Sequence, residues 1–377
     1  MKKVGVGVIG VGNIGFFHTR GLKMVNVYGD YEAELVALAD TDAERGKYIG
    51  ERFGFKRITT DYMEVINDPE VEVVSVLTPN YTHTEIAIAA ARAGKHVMVE
   101  KPLTMNKEEA DEIVKAFEEA GVSSMVNFIY TTVPVNKEAK KLIGDGRIGD
   151  VTYFKGWFEC SYKGDPEKEL QWRDEKSKAA TGVIGDVIAH IISISDMIGG
   201  DTLGEIVAVC ANRDTVYKTR KDMDNGGKVV DIDTDDICSV LVKYSTGRTG
   251  IMYATRLAPG HDNYFGYEIE GTKGTIAWSL NRINELQFYE KGEYETQGFK
   301  TVLGNPTHGD YKTFNIYEES GVSYPELFAM HYQKLFKAID EKKPIDIDIK
   351  YGAYVDKILF AMVKSCVEDR WVKIDEI

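Results

Sequence analysis

The sequence predicts an α/β protein in two parts. Residues 1–130 read as a doubly wound parallel sheet, and residues 131–377 as a second domain built on a mostly antiparallel sheet. Three observations carry this reading: a regular alternation of two textures over the first part, a glycine-rich turn after its first apolar run, and a change of texture near residue 150.

The alternation comes first. Runs rich in Val and Ile occur at Val4–Ile9, Glu34–Ala39, Val71–Leu77, His96–Val99 and Ser123–Phe128. Stretches of helical character lie between several of them, at Asn13–Met24, Asp42–Phe53, His83–Ala93 and Lys107–Glu119. Strands apolar throughout need cover on both faces, which amphipathic helices provide in a parallel sheet. Right-handed crossovers then wind the sheet in both directions. Past residue 150, Val151–Glu159, Ile206–Asn212, Ile237–Tyr244, Arg248–Arg256, Tyr267–Glu270, Thr275–Ser279 and Leu286–Tyr289 read as strands, several with polar alternation. Short turns such as Ser245-Thr246-Gly247 join them, which implies antiparallel pairing. Helices are expected at Gly182–Ile198, Tyr324–Asp340 and Tyr351–Glu368, the last of them a candidate to pack back on the first domain.

A chain of 377 residues fits two domains, and 43% hydrophobic with 28% charged residues suits a globular protein. A net charge of −14 disfavours nucleic acid and anionic membrane surfaces as partners. No uninterrupted apolar run approaches the roughly 20 residues of a membrane span. The start, MKKVGVGVIGVGNIGFFHTR, imitates a signal peptide, but its recurrent glycines and Asn13 make it read as folded structure. Cys160, Cys210, Cys238 and Cys366 show neither metal nor redox spacing and are expected as reduced packing residues of a cytoplasmic protein.

Gly10-Val11-Gly12-Asn13-Ile14-Gly15 sits between the first strand and the first helix. Gly10 permits a tight turn, Gly12 lets a pyrophosphate approach the backbone, and Gly15 lets the helix pack against the strand. Asp40 closes the second apolar run, where a carboxylate accepts from ribose hydroxyls and repels a 2′-phosphate. NAD is therefore favoured over NADP. The segment Val25–Glu32 reads as a small insertion that lengthens the distance to Asp40. Asp30 is a rival by spacing, and helix capping is an alternative role for Asp40. Thr78-Pro79-Asn80 ends another strand at the edge where a dinucleotide lies, with good turn chemistry as the alternative explanation.

Lys101, in Glu100-Lys101-Pro102, ends a further strand and would stand beside a cationic ring, suited to polarising an oxygen undergoing redox change. On the helix Gly182–Ile198, Asp186 and His190 fall one turn apart with Ser193, on the face opposite the apolar stripe. A carboxylate there can orient an imidazole that acts as general base. A solvated ion pair is the other reading. No metal-ligand spacing accompanies them. The run Asp231–Asp236 lacks the pattern of a calcium loop and is expected as a solvated strand entry.

Taken in order, Gly10–Gly15, Asp40, Thr78-Pro79-Asn80 with His83, Glu100-Lys101-Pro102, Gly144-Asp145-Gly146-Arg147-Ile148-Gly149, Asp186-x-x-x-His190 and Glu270–Gly274 resemble the glucose–fructose oxidoreductase/inositol dehydrogenase/MocA family over essentially the whole chain. The resemblance implies an N-terminal Rossmann domain and a C-terminal α/β domain. The second carries a large, open, mostly antiparallel sheet that often forms the oligomer interface, hence a homodimer or homotetramer. It implies a catalytic set of Lys101, Asp186 and His190, and a cofactor-binding set that extends to His83, Glu100 and Lys101. Leu170–Arg173 and Asn284–Leu286 look most like the inositol and levoglucosan dehydrogenase branch. That makes Tyr130, Trp172 and Arg173 candidates for substrate contact beside Lys101, Asp186 and His190. Thr131 stands where many members carry Arg.

The expected activity is reversible NAD-dependent oxidation of a secondary hydroxyl on a cyclic polyol or sugar. Two other readings use the same residues. One is glycoside cleavage by transient oxidation with retained NAD; the other is a non-catalytic dinucleotide sensor.

Overall fold

Lys2–Ile9, the stretch that imitates a leader, forms the central strand β1 of a six-stranded sheet in the computed structural model, which describes residues 1–318 and 320–377. The other strands are β2 (Tyr31–Ala39), β3 (Arg57–Thr59), β4 (Val73–Val76), β5 (His96–Val99) and β6 (Ser124–Val126). Their order is β3-β2-β1-β4-β5-β6, and every pairing is parallel. Val6, Val8, Val36, Val73, Val74, Val97 and Met98 are fully buried, as strands covered on both faces require. The order reverses between β1 and β4, which sets the turns at Gly10 and Thr78 beside one crevice of the sheet.

Two sequence readings change here. Val25–Glu32 is no separate insertion: the first helix runs Asn13–Tyr28 and β2 begins at Tyr31, so the extra residues lengthen both elements. Asp30 therefore lies at the N-terminal end of β2, the wrong edge for a dinucleotide, while Asp40 follows its C-terminal end. The short strand β3 has no apolar run to announce it, since two of its three residues are exposed.

The described chain divides into two compact units, Met1–Ile129 with Val322–Tyr354, and Tyr130–Gly321 with Val355–Ile377. The first junction lies one residue from the expected one, but residues 322–354, expected in the second domain, belong to the first. The reason is helix Tyr324–Glu341, which lies against helix Asn13–Tyr28. A Cβ at Gly21 would stand 2.4 Å from the Cβ of Phe328, so only glycine admits this approach. Helix Ile349–Glu368 starts in the first unit, where the Tyr351 ring packs edge-on to Phe128 at 5.4 Å, and continues into the second.

The second unit holds β7 (Val151–Glu159), β8 (Ile206–Asp214), β9 (Thr219–Asp222), β10 (Lys228–Asp231), β11 (Ile237–Tyr244), β12 (Thr249–Thr255), β13 (Tyr264–Gly271), β14 (Gly274–Ser279), β15 (Glu285–Glu290), β16 (Lys300–Leu303) and β17 (Val372–Lys373). Nine of them form one sheet in the order β16-β15-β14-β13-β7-β12-β11-β8-β17, antiparallel except for β7 with β12. The hairpin β9–β10 and the edge strands β16 and β17 are additions to the expected set. Gly149 and Gly271 belong to a tight junction in which Lys273 donates to the Ile148 carbonyl at 2.8 Å, so those two glycine motifs are structural partners.

One face of the large sheet carries the helix Ile184–Leu203, which begins with a wider π-helical turn over Ile184–Ile188. Gly156 on β7 lets it approach: a Cβ there would lie 2.2 Å from Ile191. The helical stretch Lys176–Leu203 has a mean hydropathy of 1.5 in its most apolar window, long and apolar enough by composition to cross a membrane. That window is 83% buried inside the protein, as in a core helix.

The acidic run Asp231–Asp236 departs from expectation. Thr234, Asp235 and Asp236 are buried. Asp235 accepts from the backbone N–H of Ile184 at 2.9 Å and of Gly182 at 3.1 Å, while Asp236 pairs with Arg256 at 3.1 Å. The carboxylates are inside because they cap the start of a helix and neutralise a buried guanidinium, two tasks a charge count does not reveal.

Candidate active site

In the first unit the glycine loop has the shape its spacing implies. Gly10 takes a left-handed backbone, φ +89°, and donates to the Ala39 carbonyl at 2.8 Å. A Cβ on Gly15 would come within 2.3 Å of the Gly10 carbonyl oxygen, so glycine is obligatory there. A Cβ on Gly12 would meet no atom within 4 Å, leaving open space at the rim of the loop. The helix that follows starts at Asn13 with no side-chain cap and no acidic residue in its first turn. Its leading N–H groups and dipole are thus available to an anion. These residues fit a dinucleotide.

Asp40 is buried and heavily partnered. One carboxylate oxygen accepts from the Val11 N–H at 2.8 Å, and the other from the Asp42 N–H at 2.9 Å and the Arg45 guanidinium at 2.7 Å. Burial works against its ionisation, but the Arg45 bond and the two backbone donors prevail, holding its pKa below the ordinary value. Asp40 thus links the glycine loop, through Val11, to the following turn, through Asp42, and it is not the helix cap that the sequence offered as its alternative role. The helix cap itself is Asp42, which accepts from Arg45 N–H.

Thr78, Pro79 and Asn80 follow β4, and Glu100, Lys101 and Pro102 follow β5. His83 ties these two turns together: Nε2 lies 2.8 Å from the Thr78 carbonyl and Nδ1 lies 3.0 Å from that of Pro102. Burial lowers its pKa, so the neutral ring donates to one carbonyl at a time. His83 and Glu100, both expected against the cofactor, are 1% and 5% exposed and serve the turns from within.

In the second unit, Asp186 and His190 lie on the helix that Asp235 caps. The solvated alternative fails for this face, since His190 and Ser193 are 6% and 1% exposed. Tyr130 meets the His190 ring edge-on at 4.8 Å, and Phe158 and Phe265 lie at 6.1 and 6.4 Å. The imidazole therefore sits among aromatic rings. Asp186 accepts a hydrogen bond from the Tyr162 hydroxyl and lies 3.5 Å from the Arg173 guanidinium. Arg173 also stacks its guanidinium over Trp172, 4.2 Å from the ring centroid. The structure thus gathers Tyr130 with His190, and Trp172 and Arg173 with Asp186.

Sequence reading missed Tyr162, Arg256 and the support beneath Trp172–Arg173. Burial first, and Asp186 second, push the Tyr162 pKa well up, so its hydroxyl stays protonated as a donor. Arg256, fully buried, pairs with Asp236 and adds positive potential near Tyr162 and Asp186. Lys163 and Asp174 form a buried ion pair at 2.5 Å, and Arg220 donates to the carbonyls of Lys163, Asp165 and Lys168, locking the loop that leads to Trp172. None of these has a motif; their partners lie far off in sequence.

Comparison with known proteins agrees with this geometry. Residues 4–128 match an oxidoreductase family with an NAD-binding Rossmann fold, and residues 136–277 match the GFO/IDH/MocA C-terminal domain. Levoglucosan dehydrogenase of Pseudarthrobacter phenanthrenivorans is 32% identical, with 100% of each chain covered. The myo-inositol 2-dehydrogenase of Thermotoga maritima is 26% identical, with 99% of each covered. A solved levoglucosan dehydrogenase in complex with NADH and levoglucosan superposes with a TM-score of 0.94 at 32% identity, over 99% of this chain and 100% of that one. With both halves matched in sequence and in fold, this chain belongs to the GFO/IDH/MocA family of oxidoreductases.

Proposed function

We propose that the protein is an NAD-dependent dehydrogenase that reversibly oxidises a secondary hydroxyl of a cyclic polyol or sugar, of the inositol, anhydrosugar or pyranose type, to a ketone. The observation that carries the reading is a carboxylate and an enclosed imidazole on one helix, Asp186 held by Tyr162 and Arg173, His190 walled by aromatic rings. Relatives named as levoglucosan and inositol dehydrogenases support the substrate class.

The Gly10–Gly15 loop and Asp40 would hold the NAD, which would supply the acceptor for the hydride from the substrate carbon. His190 accepts the hydroxyl proton, and in the reverse direction returns it. Asp186 receives the substrate hydroxyl and orients the base, its own position fixed by Tyr162 and Arg173. Lys101 donates to the reacting oxygen and stabilises the negative charge that develops there. Asp40 favours NAD over NADP by accepting from the ribose and opposing a 2′-phosphate. The net charge of −14 suits a neutral polyol better than a sugar phosphate. Four free cysteines support a cytoplasmic setting, and the half-exposed face of the nine-stranded sheet supports a homodimer or homotetramer.

The test is a panel of inositols, anhydrosugars and aldoses assayed with NAD and with NADP by NADH or NADPH absorbance. Stoichiometric NADH with at least one cyclic polyol or sugar is expected. Cleavage of a glycoside without net NADH would point to retained-NAD chemistry, and no turnover with tight NAD binding would point to a sensor.

A further inference from the structure

Behind Lys101 the first unit contains a chain of buried polar groups that a Rossmann sheet does not need for cofactor contact. Glu100 turns its carboxylate back so that one oxygen accepts from the Lys101 N–H at 3.1 Å. The other oxygen accepts from the Asn127 amide at 2.5 Å and faces His18 Nε2 at 2.9 Å. His18 Nδ1 meets the Tyr332 hydroxyl at 2.8 Å, which in turn meets Ser75 Oγ at 2.8 Å. The Asn127 carbonyl oxygen takes the Nδ1 hydrogen of His331 at 2.8 Å. His18, Ser75, Asn127, His331 and Tyr332 are all at or below 2% exposure.

The directions of these bonds close consistently. An ionised Glu100 only accepts, so His18 carries its hydrogen on Nε2, and Tyr332 donates to Nδ1 while accepting from Ser75. Burial opposes the charge on Glu100, yet the hydrogen bond from His18, with Lys101 and Asn127 nearby, lowers its pKa to about 2. The His18 ring is held edge-on by Phe328 at 4.7 Å. Two segments distant in sequence, the first helix and helix Tyr324–Glu341, thus converge on one carboxylate whose remaining oxygen grips the Lys101 backbone.

Both oxygens of this carboxylate are engaged, and its side-chain partners His18 and Asn127 are themselves buried, so neither can yield to a ligand as the half-exposed Arg45 can at Asp40. Glu100 is well placed to fix where the main chain leaves β5, and so where Lys101 projects. We infer that Glu100, clamped by His18 and Asn127, is a positioning residue for Lys101, and that Tyr332 sustains the clamp from the returning helix. This rests on the proposed role of Lys101 in polyol oxidation. A displacement of the order of 1 Å in such a group costs about 100-fold in rate, so a rigid mount has kinetic value.

The experiment is a double-mutant cycle with Glu100→Gln, Lys101→Ala and the double variant, reading kcat at saturation and NADH affinity by protein fluorescence. Glu100→Gln should lower kcat by about 10- to 100-fold while the NADH Kd stays within about threefold. The double variant should be no slower than Lys101→Ala, because the two changes remove one function. Lost NADH affinity with intact kcat would make Glu100 a cofactor ligand, and additive losses would show that it does not act through Lys101; either overturns the inference. Near wild-type kcat in Lys101→Ala would instead sink the role of Lys101, a failure read from that variant alone. Should Glu100→Gln fail to fold, Tyr332→Phe enters the same cycle, with a smaller loss that is again absent in the Lys101→Ala background.

Discussion

Asp40 collects donors from Val11, Asp42 and Arg45; the first two are backbone N–H groups, and only the half-exposed Arg45 side chain is able to yield to a ligand. Asp40→Ser should lower kcat/KM with NAD by about tenfold or more and improve NADP, since it removes a ribose acceptor and a repulsive charge. A wild-type protein already faster with NADP would contradict this assignment. His190→Ala should lower kcat by about 10²–10⁴, the range for losing a placed general base, with NADH affinity nearly unchanged because the glycine loop lies in the other unit. The placing of Asp40 and Lys101 just after strands, and of Asp186 and His190 on one helix, was legible because the one-dimensional pattern defines strand ends and helix faces. Tyr162, His18 and Asn127 were not, because their importance comes from partners such as Asp186 and Glu100, and no spacing encodes a meeting across 24 to 82 residues.

At the scale of elements, the two glycines of the first turn make opposite predictions for stability and binding. Gly12→Ala places its methyl in open space, so thermal stability should hold while NADH affinity falls. Gly15→Ala drives a methyl into the Gly10 carbonyl, so both should fall. Calorimetry beside an NADH titration separates the two. Asp235 offers a second test, since its carboxylate caps the helix that carries Asp186 and His190. Asp235→Ala should cost about 1–3 kcal/mol by urea unfolding, the penalty for leaving buried donors unmet. The strands of the first sheet were legible because burial on both faces leaves continuous apolar runs. Helix Tyr324–Glu341 was legible as a helix but not in its partnership: its pattern shows an apolar face, and only the fit of Phe328 to Gly21 shows what covers it.

Over the whole molecule, the buried charge at Glu100 links the site to acid stability. Its pKa is about 2 in the folded chain against an ordinary 4.5. A depressed carboxylate contributes stability at neutral pH that is lost as pH falls through that window, here on the order of 3 kcal/mol. Urea unfolding of wild type and Glu100→Gln should therefore differ most near neutrality and converge towards pH 2. The face of the nine-stranded sheet opposite helix Ile184–Leu203 presents Trp157, Leu241, Ile251, Tyr253 and Tyr264, with Leu241 48% exposed. Light scattering should give at least twice the 42.2 kDa chain mass, and a stable monomer would contradict that use of the face. The activity itself is tested most directly by isotope transfer, using the best substrate from the panel with deuterium on the reacting carbon. The account predicts that each turnover releases one ketone and one NADH carrying that deuterium; deuterium returned to the sugar or lost to solvent, with no net NADH, would contradict it.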